Sequence, residues 1–427
     1  MKRGICFLLA VLFCMSLCAC SPKQVQQESA SGFRVGFGRV NITPTNSVRL
    51  VGYFNYDERY SEGVMDPLYA TCIAITDAQN NTVLIYTLDL IGTQASDLDL
   101  LRGYVEEELG VPGENLIASG THTHSAPIYA DIPNFIPSLL QAAKDAMDDR
   151  APAQLYAGQA EIPGMNFVRH YVLNDDTIGG DNFGKITLHN VVRHTTDADR
   201  QMQLLRFVRQ EGKQDIVMVN WQAHPKLSSS SVAPGGKEST RMISADFIGY
   251  CRMYMESNAD CLFAYYTGAS GNLNPVSLLS EENIAVRRQV NLYGEDLAKH
   301  ILSALEHLTP MQQGAVRTLR VNYQAKAAAG TPFQLELSAV AVGNIGFVTL
   351  PFETFDTTGM EIKDASPFDY TFILTCAGGK HGYMPPDYVW DYNPDGDTPY
   401  EVEYCQFVRG TAEQVAAKLT DMLNELK

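Results

Sequence analysis

The feature that most constrains the fold of this chain is a series of short, continuous apolar runs that end at polar residues. Three of them cover residues 83–88 (VLIYTL), 115–121 (NLIASGT) and 216–221 (IVMVNW). Asp89 follows the first run, and His224 lies shortly after the third. Continuous apolar runs are typical of strands buried on both faces, and α/β proteins place their sites at the carboxyl ends of such strands. The runs therefore predict a buried sheet with polar groups at one edge.

Helical patterns alternate with these strands. Ser96 can cap a helix that ends at Gly110, and further amphipathic patterns cover 134–148 and 284–308. Thr411 and Gln414 have the spacing of a capping box for a last helix. Additional strand patterns lie at 202–208 and 261–266, a hairpin pattern at 335–350, and polar surface loops at 174–185 and 390–399. Such alternation predicts an α/β class, with mixed β-sheets, helices packed on their faces and a single large domain.

The first twenty residues have the pattern of an export segment. Lys2 and Arg3 precede an apolar stretch that ends near Leu17, and the small residue Ala19 precedes Cys20. Ala19-Cys20 resembles a bacterial lipobox, which implies cleavage before Cys20 and a lipid on its thiol. A plain signal peptide or a short membrane helix is the alternative, although the run is short for a span of about 20 residues. We expect an exported protein of the bacterial cell envelope, with a lipoprotein signal peptide at residues 1–20, a lipid anchor on Cys20, a flexible tether at 21–32 and a domain at 33–427.

Composition limits the partners and the disulfide content. The net charge is −17, which argues against a nucleic-acid partner because phosphate binding requires a basic surface. Five cysteines remain besides Cys20 and those of the export segment, and none lies in a C-x-x-C pair. This pattern does not predict a disulfide framework. One bridge is possible in an oxidising compartment, and whether Cys251 pairs with Cys261 is left open.

Three of the nine histidines lie where predicted strands end. His122 and His124 belong to the segment Thr121–Pro127 (THTHSAP), and in a strand residues i and i+2 point to one face. His224 precedes Pro225, which should end its strand. Two neutral imidazoles on one face can bind zinc, or one can bind the metal while the other takes part in the reaction. The alternative is that these histidines form ordinary hydrogen bonds in loops.

Three other segments are candidates for the same site. The small residues around Ser270 and Asn274 would allow a ligand to approach the backbone closely, or they form a simple turn. Glu353 lies between two phenylalanines, where a carboxylate is costly unless it is paired or binds a cation. Tyr383 precedes two prolines, and a tyrosine in such a place more often packs than binds.

The order of these motifs resembles the catalytic domain of the neutral/alkaline ceramidase family over residues 35–410. The matching segments are Val35–Gly38, Ile42–Pro44, Gly52-Tyr53, Thr121–Pro127, Ala223–Pro225, Ser244–Asp246, Gly249-Tyr250, Gly271–Leu273, Pro351–Glu353 and Gly382-Tyr383.

The resemblance implies a catalytic zinc ion and roles for particular residues. His122, His224, Glu353 and Tyr383 correspond to the family's zinc ligands. His124 corresponds to the residue that helps to polarise the scissile carbonyl, and Arg169 corresponds to an arginine near the same site. Asp89 and Asp246 either support the ligands or cap loops, and we leave both open.

Two departures from the family bear on the substrate. The family carries a serine, needed for ceramide hydrolysis, at the position of Asn274, and Ser270 nearby does not match it. The family's C-terminal immunoglobulin-like domain is expected to be absent, because about 44 residues follow Tyr383 and end in a helical pattern.

We therefore expect a zinc-dependent hydrolase of amide bonds, acting on an N-acyl or ceramide-like substrate by attack of metal-activated water. The alternatives are a zinc esterase or another hydrolase on the same scaffold, or a non-catalytic ligand-binding surface lipoprotein. A metal-free serine hydrolase does not fit, because the chain has no Gly-x-Ser-x-Gly turn. The expected partners are a small-molecule or lipid amide and a membrane reached through the lipid anchor.

Overall fold

A computed structural model describes residues 32–53, 58–228, 241–279, 289–393 and 396–427. Cys20, the export segment and nearly all of the predicted tether lie outside the described residues, as does the segment 284–288 at the start of a predicted helix. Within the described residues, no helix has the length and apolar character needed to cross a membrane.

The described residues form twenty-two strands. In chain order they are β1 Phe33–Asn41, β2 Gly63–Val64, β3 Tyr69–Thr76, β4 Thr82–Leu88, β5 Leu116–Gly120, β6 Ala151–Glu161, β7 Phe167–Val168, β8 His170–Leu173, β9 Ile178–Gly180, β10 Val191–His194, β11 Gln201–Arg209, β12 Asp215–Trp221, β13 Met242–Ile243, β14 Cys261–Thr267, β15 Leu273–Asn274, β16 Thr309–Pro310, β17 Val316–Lys326, β18 Pro332–Val342, β19 Ile345–Leu350, β20 Glu353–Thr354, β21 Tyr370–Thr375 and β22 Tyr383–Met384.

Seven α-helices accompany these strands in the described part of the chain. They are α1 Ala95–Leu109, α2 Phe135–Asp148, α3 Phe247–Asn258, α4 Val290–Leu305, α5 Asp356–Ala365, α6 Tyr400–Glu403 and α7 Thr411–Leu426.

Two large sheets organise the fold. The first has nine strands in the order β14-β12-β11-β6-β1-β3-β4-β5, with β16 paired to β6 beside this path. The second has the order β17-β18-β19-β21. Most neighbours are antiparallel, but β4–β5, β12–β14 and β19–β21 are parallel pairs. Because both members of a parallel pair end on the same side, these three pairs bring several strand ends to one region.

The hydrophobic core of the described residues is divided among four clusters. Phe33, Ile85, Phe207, Phe347 and Phe372 belong to a cluster that fills the space between the two large sheets. On the outer face of the nine-stranded sheet, α1 and α2 cover one end, and α3 and α4 cover the other. Helices α5 and α7 cover the outer face of the four-stranded sheet. The result is a helix–sheet–sheet–helix arrangement, in which strands buried on both faces are continuously apolar.

This arrangement confirms the predicted α/β class with mixed sheets and helices on their faces. The runs at 83–88, 115–121 and 216–221 become β4, β5 and β12. The hairpin predicted at 335–350 is formed by β18 and β19, which pair on either side of Gly343-Asn344. The five cysteines of the described residues are free, so Cys251 and Cys261 do not pair.

Two predicted helix caps are wrong. Helix α1 has Gln94 as its N-cap, so Ser96 lies inside its first turn. Helix α7 has Gly410 as its N-cap, at φ 83°, and Thr411 is its first residue. Ser96 lies two positions after the N-cap of its helix, and Thr411 lies one position after the N-cap of its own. Sequence patterns do not fix a helix end more closely than this. The predicted stop at Gly110 is confirmed, with φ 66° and its N–H donating to Glu106 O.

Candidate metal centre

Three buried histidines direct their Nε2 atoms to one point. The Nε2 atoms of His122 and His224 are 3.1 Å apart, and His124 Nε2 lies 3.3 Å from the first and 2.9 Å from the second. Nitrogen ligands of a tetrahedral zinc ion are expected about 3.3 Å apart. The spacing therefore fits three side chains that surround a small cation.

Different strand ends deliver these histidines. Strand β5 ends at Gly120, two residues before His122, and strand β12 ends at Trp221, three residues before His224. The backbone N–H of His124 donates to Pro225 O at 3.1 Å, which joins the two segments directly. The structure therefore brings the three histidines together near strand ends.

The reason given for the pairing of His122 with His124 is wrong. His122 is not in a strand but has φ 68°, in the left-handed region that non-glycine residues seldom adopt. Its N–H donates to Leu90 O at 2.8 Å, which holds this turn against the end of β4. Strand alternation therefore does not place the two rings together. A strained turn places them, and such strain is frequent at functional sites.

Glu353 and Tyr383 complete the group from a second part of the fold. They are partners in the short parallel pair β20–β22, and burial together with the neighbouring Glu353 carboxylate raises the pKa of Tyr383. Glu353 Oε2 lies 3.2 Å from His122 Nε2 and 3.7 Å from His224 Nε2. The structure thus brings together all four residues that the resemblance implied as metal ligands. His124 lies equally close to His122 and His224.

The hydrogen-bond donors around these atoms leave a place for a cation. His122 Nδ1 lies 2.7 Å from Ile91 O, and His224 Nδ1 lies 3.2 Å from Ser270 O. A carbonyl oxygen only accepts, so in the neutral form of each ring Nδ1 carries the hydrogen and Nε2 presents a lone pair. Glu353 Oε2 is likewise buried without a donor in the described structure. Three acceptors facing one another repel unless a cation lies between them, so the donor set fits a metal ion.

The electrostatics of the cluster lead to the same conclusion. Burial, together with the charge of His122, lowers the pKa of His124 and of His224, which keeps both rings in the neutral form that binds metals. Burial opposes protonation of His122 as well, but the Glu353 carboxylate raises the pKa of His122 to about 10. The cluster therefore attracts one positive charge, which a metal cation can supply in place of a proton.

A cavity of about 1010 Å³ opens onto this cluster. His124, His224, Glu353 and Tyr383 contribute to its wall together with Arg169. Apolar and tyrosine side chains form much of the remainder, namely Val51, Tyr53, Ile91, Ile128, Ile186, Tyr400 and Tyr404. Pockets of this size bind small molecules, and apolar walls fit a hydrocarbon chain. The predicted surface loop 174–185 also contributes Gly180, Asp181, Asn182 and Gly184 to the wall, so this part of it is not a simple surface loop.

Arg169 is fixed beside the cavity by a residue that the sequence did not single out. Its Nε donates to Glu401 Oε1 at 2.8 Å, and the other carboxylate oxygen lies 3.1 Å from His170 Nε2. Glu401 is fully buried. Burial raises its pKa, but His170 and Arg169 outweigh that effect and lower the pKa of Glu401 to about 2. The Arg169 guanidinium lies 5.4 Å from the centre of the Tyr383 ring, which places it next to the candidate metal ligands.

The two aspartates left open in the sequence analysis have structural partners. Asp89 accepts from Arg252 at 2.7 Å and from the backbone N–H of Tyr69 at 2.8 Å. Asp246 caps α3 through the N–H of Phe247 and accepts from the N–H of Ser228. The backbone carbonyls of Ile91 and Ser270, rather than these aspartates, orient the histidine rings.

Ser270 and Asn274, the candidates for a substrate pocket, are not among the residues that line this cavity. Ser270 is buried, and its carbonyl oxygen faces His224. Asn274 donates through Nδ2 to Asp181 at 3.0 Å, so it acts behind the cavity wall. A small residue that is close in sequence to a site can point either into the cavity or into the protein interior, and the motif does not show which.

Comparisons with known proteins agree with the architecture. A ceramidase solved in complex with C2 superimposes with a TM-score of 0.71 at 15% identity, covering 92% of this chain and 75% of the other. The neutral ceramidase from Pseudomonas aeruginosa superimposes with a TM-score of 0.70 at 15% identity, covering 92% and 74%. The fold is that of the neutral ceramidases. Because the two solved chains are distant in sequence, these matches establish the fold alone.

Sequence comparison also finds neutral ceramidases. Neutral ceramidases from Drosophila pseudoobscura pseudoobscura and Drosophila melanogaster are 22% and 21% identical over 250 and 243 residues. The matched region covers 53% and 52% of this chain, and about a third of each relative, 32% in both cases. No family model matches the chain. The resemblance predicted from the ordered motifs is confirmed.

Proposed function

We propose that this protein is a zinc-dependent hydrolase of amide bonds in N-acyl substrates. The observation that carries the proposal is the convergence of the His122 and His224 lone pairs with the Glu353 carboxylate beside a partly apolar cavity. The fold supports the proposal, because two solved ceramidases have the same architecture as this protein. Together they favour hydrolysis over simple ligand binding.

His122, His224, Glu353 and Tyr383 would hold the ion. When bound, zinc polarises a carbonyl oxygen and lowers the pKa of water toward about 7. Glu353 and Tyr383 are paired residues of β20 and β22, which fixes their backbones beside each other. Since both His122 and His224 keep their Nδ1 hydrogens on backbone carbonyls, their rings are fixed in the orientation that a metal requires.

His124 and Arg169 would bind the carbonyl oxygen of the scissile amide. His124 Nδ1 has no partner in the described structure, so its Nε2 is free to carry the hydrogen and to donate it. This distinguishes His124 from the other two histidines, whose Nε2 atoms accept. Arg169 is held at the cavity wall by Glu401. A donor that meets the developing negative charge on such an oxygen contributes about 3 kcal/mol to catalysis.

The apolar and tyrosine side chains of the cavity wall would bind the acyl chain. The serine that the family needs for ceramide hydrolysis is replaced by Asn274, which is bonded to Asp181 behind the wall. We therefore propose an N-acyl amide as the substrate class, of which ceramide is one member to be tested.

We further propose that the mature protein is exported and anchored to a membrane of the bacterial cell envelope by a lipid on Cys20, which lies outside the described residues. Labelling of growing cells with radioactive palmitate should mark the wild-type protein. Equal labelling of a Cys20→Ser variant would exclude the anchor.

The central test is metal content together with turnover in the purified full-length protein. We expect about one zinc ion per chain and hydrolysis of N-dodecanoyl amides that a chelator abolishes and zinc restores. Exclusive cleavage of the matching dodecanoyl ester would replace the amidase with an esterase. A protein that neither retains nor takes up zinc would be a ligand-binding protein instead.

A further inference from the structure

The charge of the cavity wall is opposite to the charge of the whole protein. The chain has 32 lysine and arginine residues against 49 acidic residues. Among the described residues that form the cavity wall, five side chains are basic and two are acidic. The basic ones are Arg49, Arg169, Lys185, Lys226 and Lys380, and the acidic ones are Asp181 and Glu353. A cavity of one sign in a protein of the other sign attracts ligands that oppose its own charge.

Part of this positive charge is already neutralised by the protein. Glu401 lies behind Arg169 with an oxygen 2.6 Å from the guanidinium, and Asp181 is paired with Lys226. Glu353 faces the candidate metal centre, where a bound zinc ion would outweigh its charge. Arg169 and Lys226 are therefore neutralised within the protein. The wall also carries Lys185 and Lys380, which take part in none of the ion pairs among the described residues, so positive charge remains toward the ligand.

Lys380 lies beside a group that orients one of the candidate metal ligands. Its stem packs on the loop of Ile91 and Gly92, where a Cβ added to Gly92 would lie 3.2 Å from Lys380 Cδ. Ile91 O is the acceptor that fixes the His122 ring. Among the described residues, none of the ion pairs includes Lys380. Lys380 is exposed, but it lies in the wall of the cavity beside the candidate metal centre, where a bound ligand can reach it.

We propose that the substrate carries an anionic group on the amine side of its amide bond, as an N-acyl amino acid does, and that Lys380 binds this group. The inference rests on the proposed amidase function and narrows it. The acyl chain would lie along the apolar and tyrosine part of the wall, and the carboxylate would lie at the basic part. Ceramide, which has no charge, would lack the second contact.

Paired substrates test this assignment through turnover. N-dodecanoylglycine and N-dodecanoylglycinamide contain the same acyl chain and the same scissile bond, and differ by one negative charge. We expect kcat/KM to favour the acid by about fivefold, the effect of one partly screened ion pair. Lys380→Met should bring this ratio close to one. Lys326→Met, which removes an exposed lysine of β17 outside the cavity wall, should leave it unchanged.

A binding measurement separates this proposal from the amidase function. In 4-oxopentadecanoic acid and 4-oxopentadecanamide, a methylene group replaces the amide N–H, so neither compound can be hydrolysed. Calorimetry with full-length protein should show about fivefold tighter binding of the acid, with the difference lost in Lys380→Met. Preference for the acid without any hydrolysis would keep this inference and remove the amidase. Hydrolysis of both amides at equal rates, with equal binding of the two ketones, would overturn the inference and keep the amidase.

Discussion

Two buried polar clusters adjoin each other in this protein and differ in how their charges are balanced. In the first, His122, His224 and Glu353 present acceptor atoms to one another. In the second, Glu401 lies between Arg169 and His170, and each of its oxygens faces a donor. Tyr383 links them, since it is the strand partner of Glu353 and its ring lies beside the Arg169 guanidinium.

The difference separates a group built to bind from a group built to hold position. Buried acceptors without donors are costly, and a protein retains them where a ligand supplies the missing charge. A buried ion pair with matched partners has no such requirement, and its removal leaves an uncompensated charge. We therefore expect substitutions in the first cluster to affect metal content most strongly, and substitutions in the second to affect stability.

The largest effect is expected for His224→Ala. The variant should lose bound zinc and at least about a thousandfold in turnover, because a metal ion contributes several kcal/mol of transition-state stabilisation. The metal-free variant should be no less stable than metal-free wild type, since one of the opposing lone pairs has been removed. Elemental analysis, amide hydrolysis and thermal unfolding would measure these quantities.

His307→Ala is the matched control, because His307 is an exposed histidine near the end of α4. It should keep its zinc and its activity. Retention of zinc in His224→Ala would contradict the assignment of His224 as a ligand.

The contrast between the clusters also explains what the sequence could predict. His122, His224, Glu353 and Tyr383 each follow or occupy a short strand, and local patterns identify strand ends. Their convergence then follows from the parallel pairing of β4–β5, β12–β14 and β19–β21. The resemblance to the ceramidases, in which the same motifs occur in the same order, indicated which of these polar residues form one site.

Glu401 could not be predicted in this way. It lies in a short helix within a polar stretch, 232 residues from its partner Arg169. Its burial depends on tertiary packing, and nothing in its local sequence distinguishes it from Glu403, which is exposed. The left-handed turn at His122 was missed for a similar reason, since hydrogen bonds from the end of β4 stabilise it rather than its own residue type.

Glu401→Gln is the next largest change. It removes the charge that neutralises Arg169 and should lower the free energy of unfolding by about 3 kcal/mol. Zinc content should be unchanged, while turnover falls by about tenfold because Arg169 is no longer held at the wall. Glu403→Gln, on the same helix but exposed, should change neither quantity measurably. Loss of zinc in Glu401→Gln would mean that the two clusters are not separate.

The pH dependence of this effect has a definite sign. The pKa of Glu401 is about 2 in the folded protein, below its ordinary value of 4.5. Its contribution to stability is therefore fully present above about pH 4.5, and is lost as the pH falls toward 2. The difference in unfolding free energy between wild type and Glu401→Gln should shrink over that window. A difference that grows on acidification would show that Glu401 is not held ionised by its partners.

The smallest effect is expected at Asn274, which belongs to neither cluster. Its amide donates one hydrogen bond to Asp181, and its carbonyl oxygen has no partner in the described structure. Asn274→Ser should therefore cost about 1 kcal/mol of stability and change kcat/KM on N-acyl amides by less than about threefold. Asn274→Ala provides the matched control, because it removes the same hydrogen bond without adding a hydroxyl. If the serine variant alone gained more than about tenfold in ceramide hydrolysis, position 274 would act on the substrate directly rather than through Asp181.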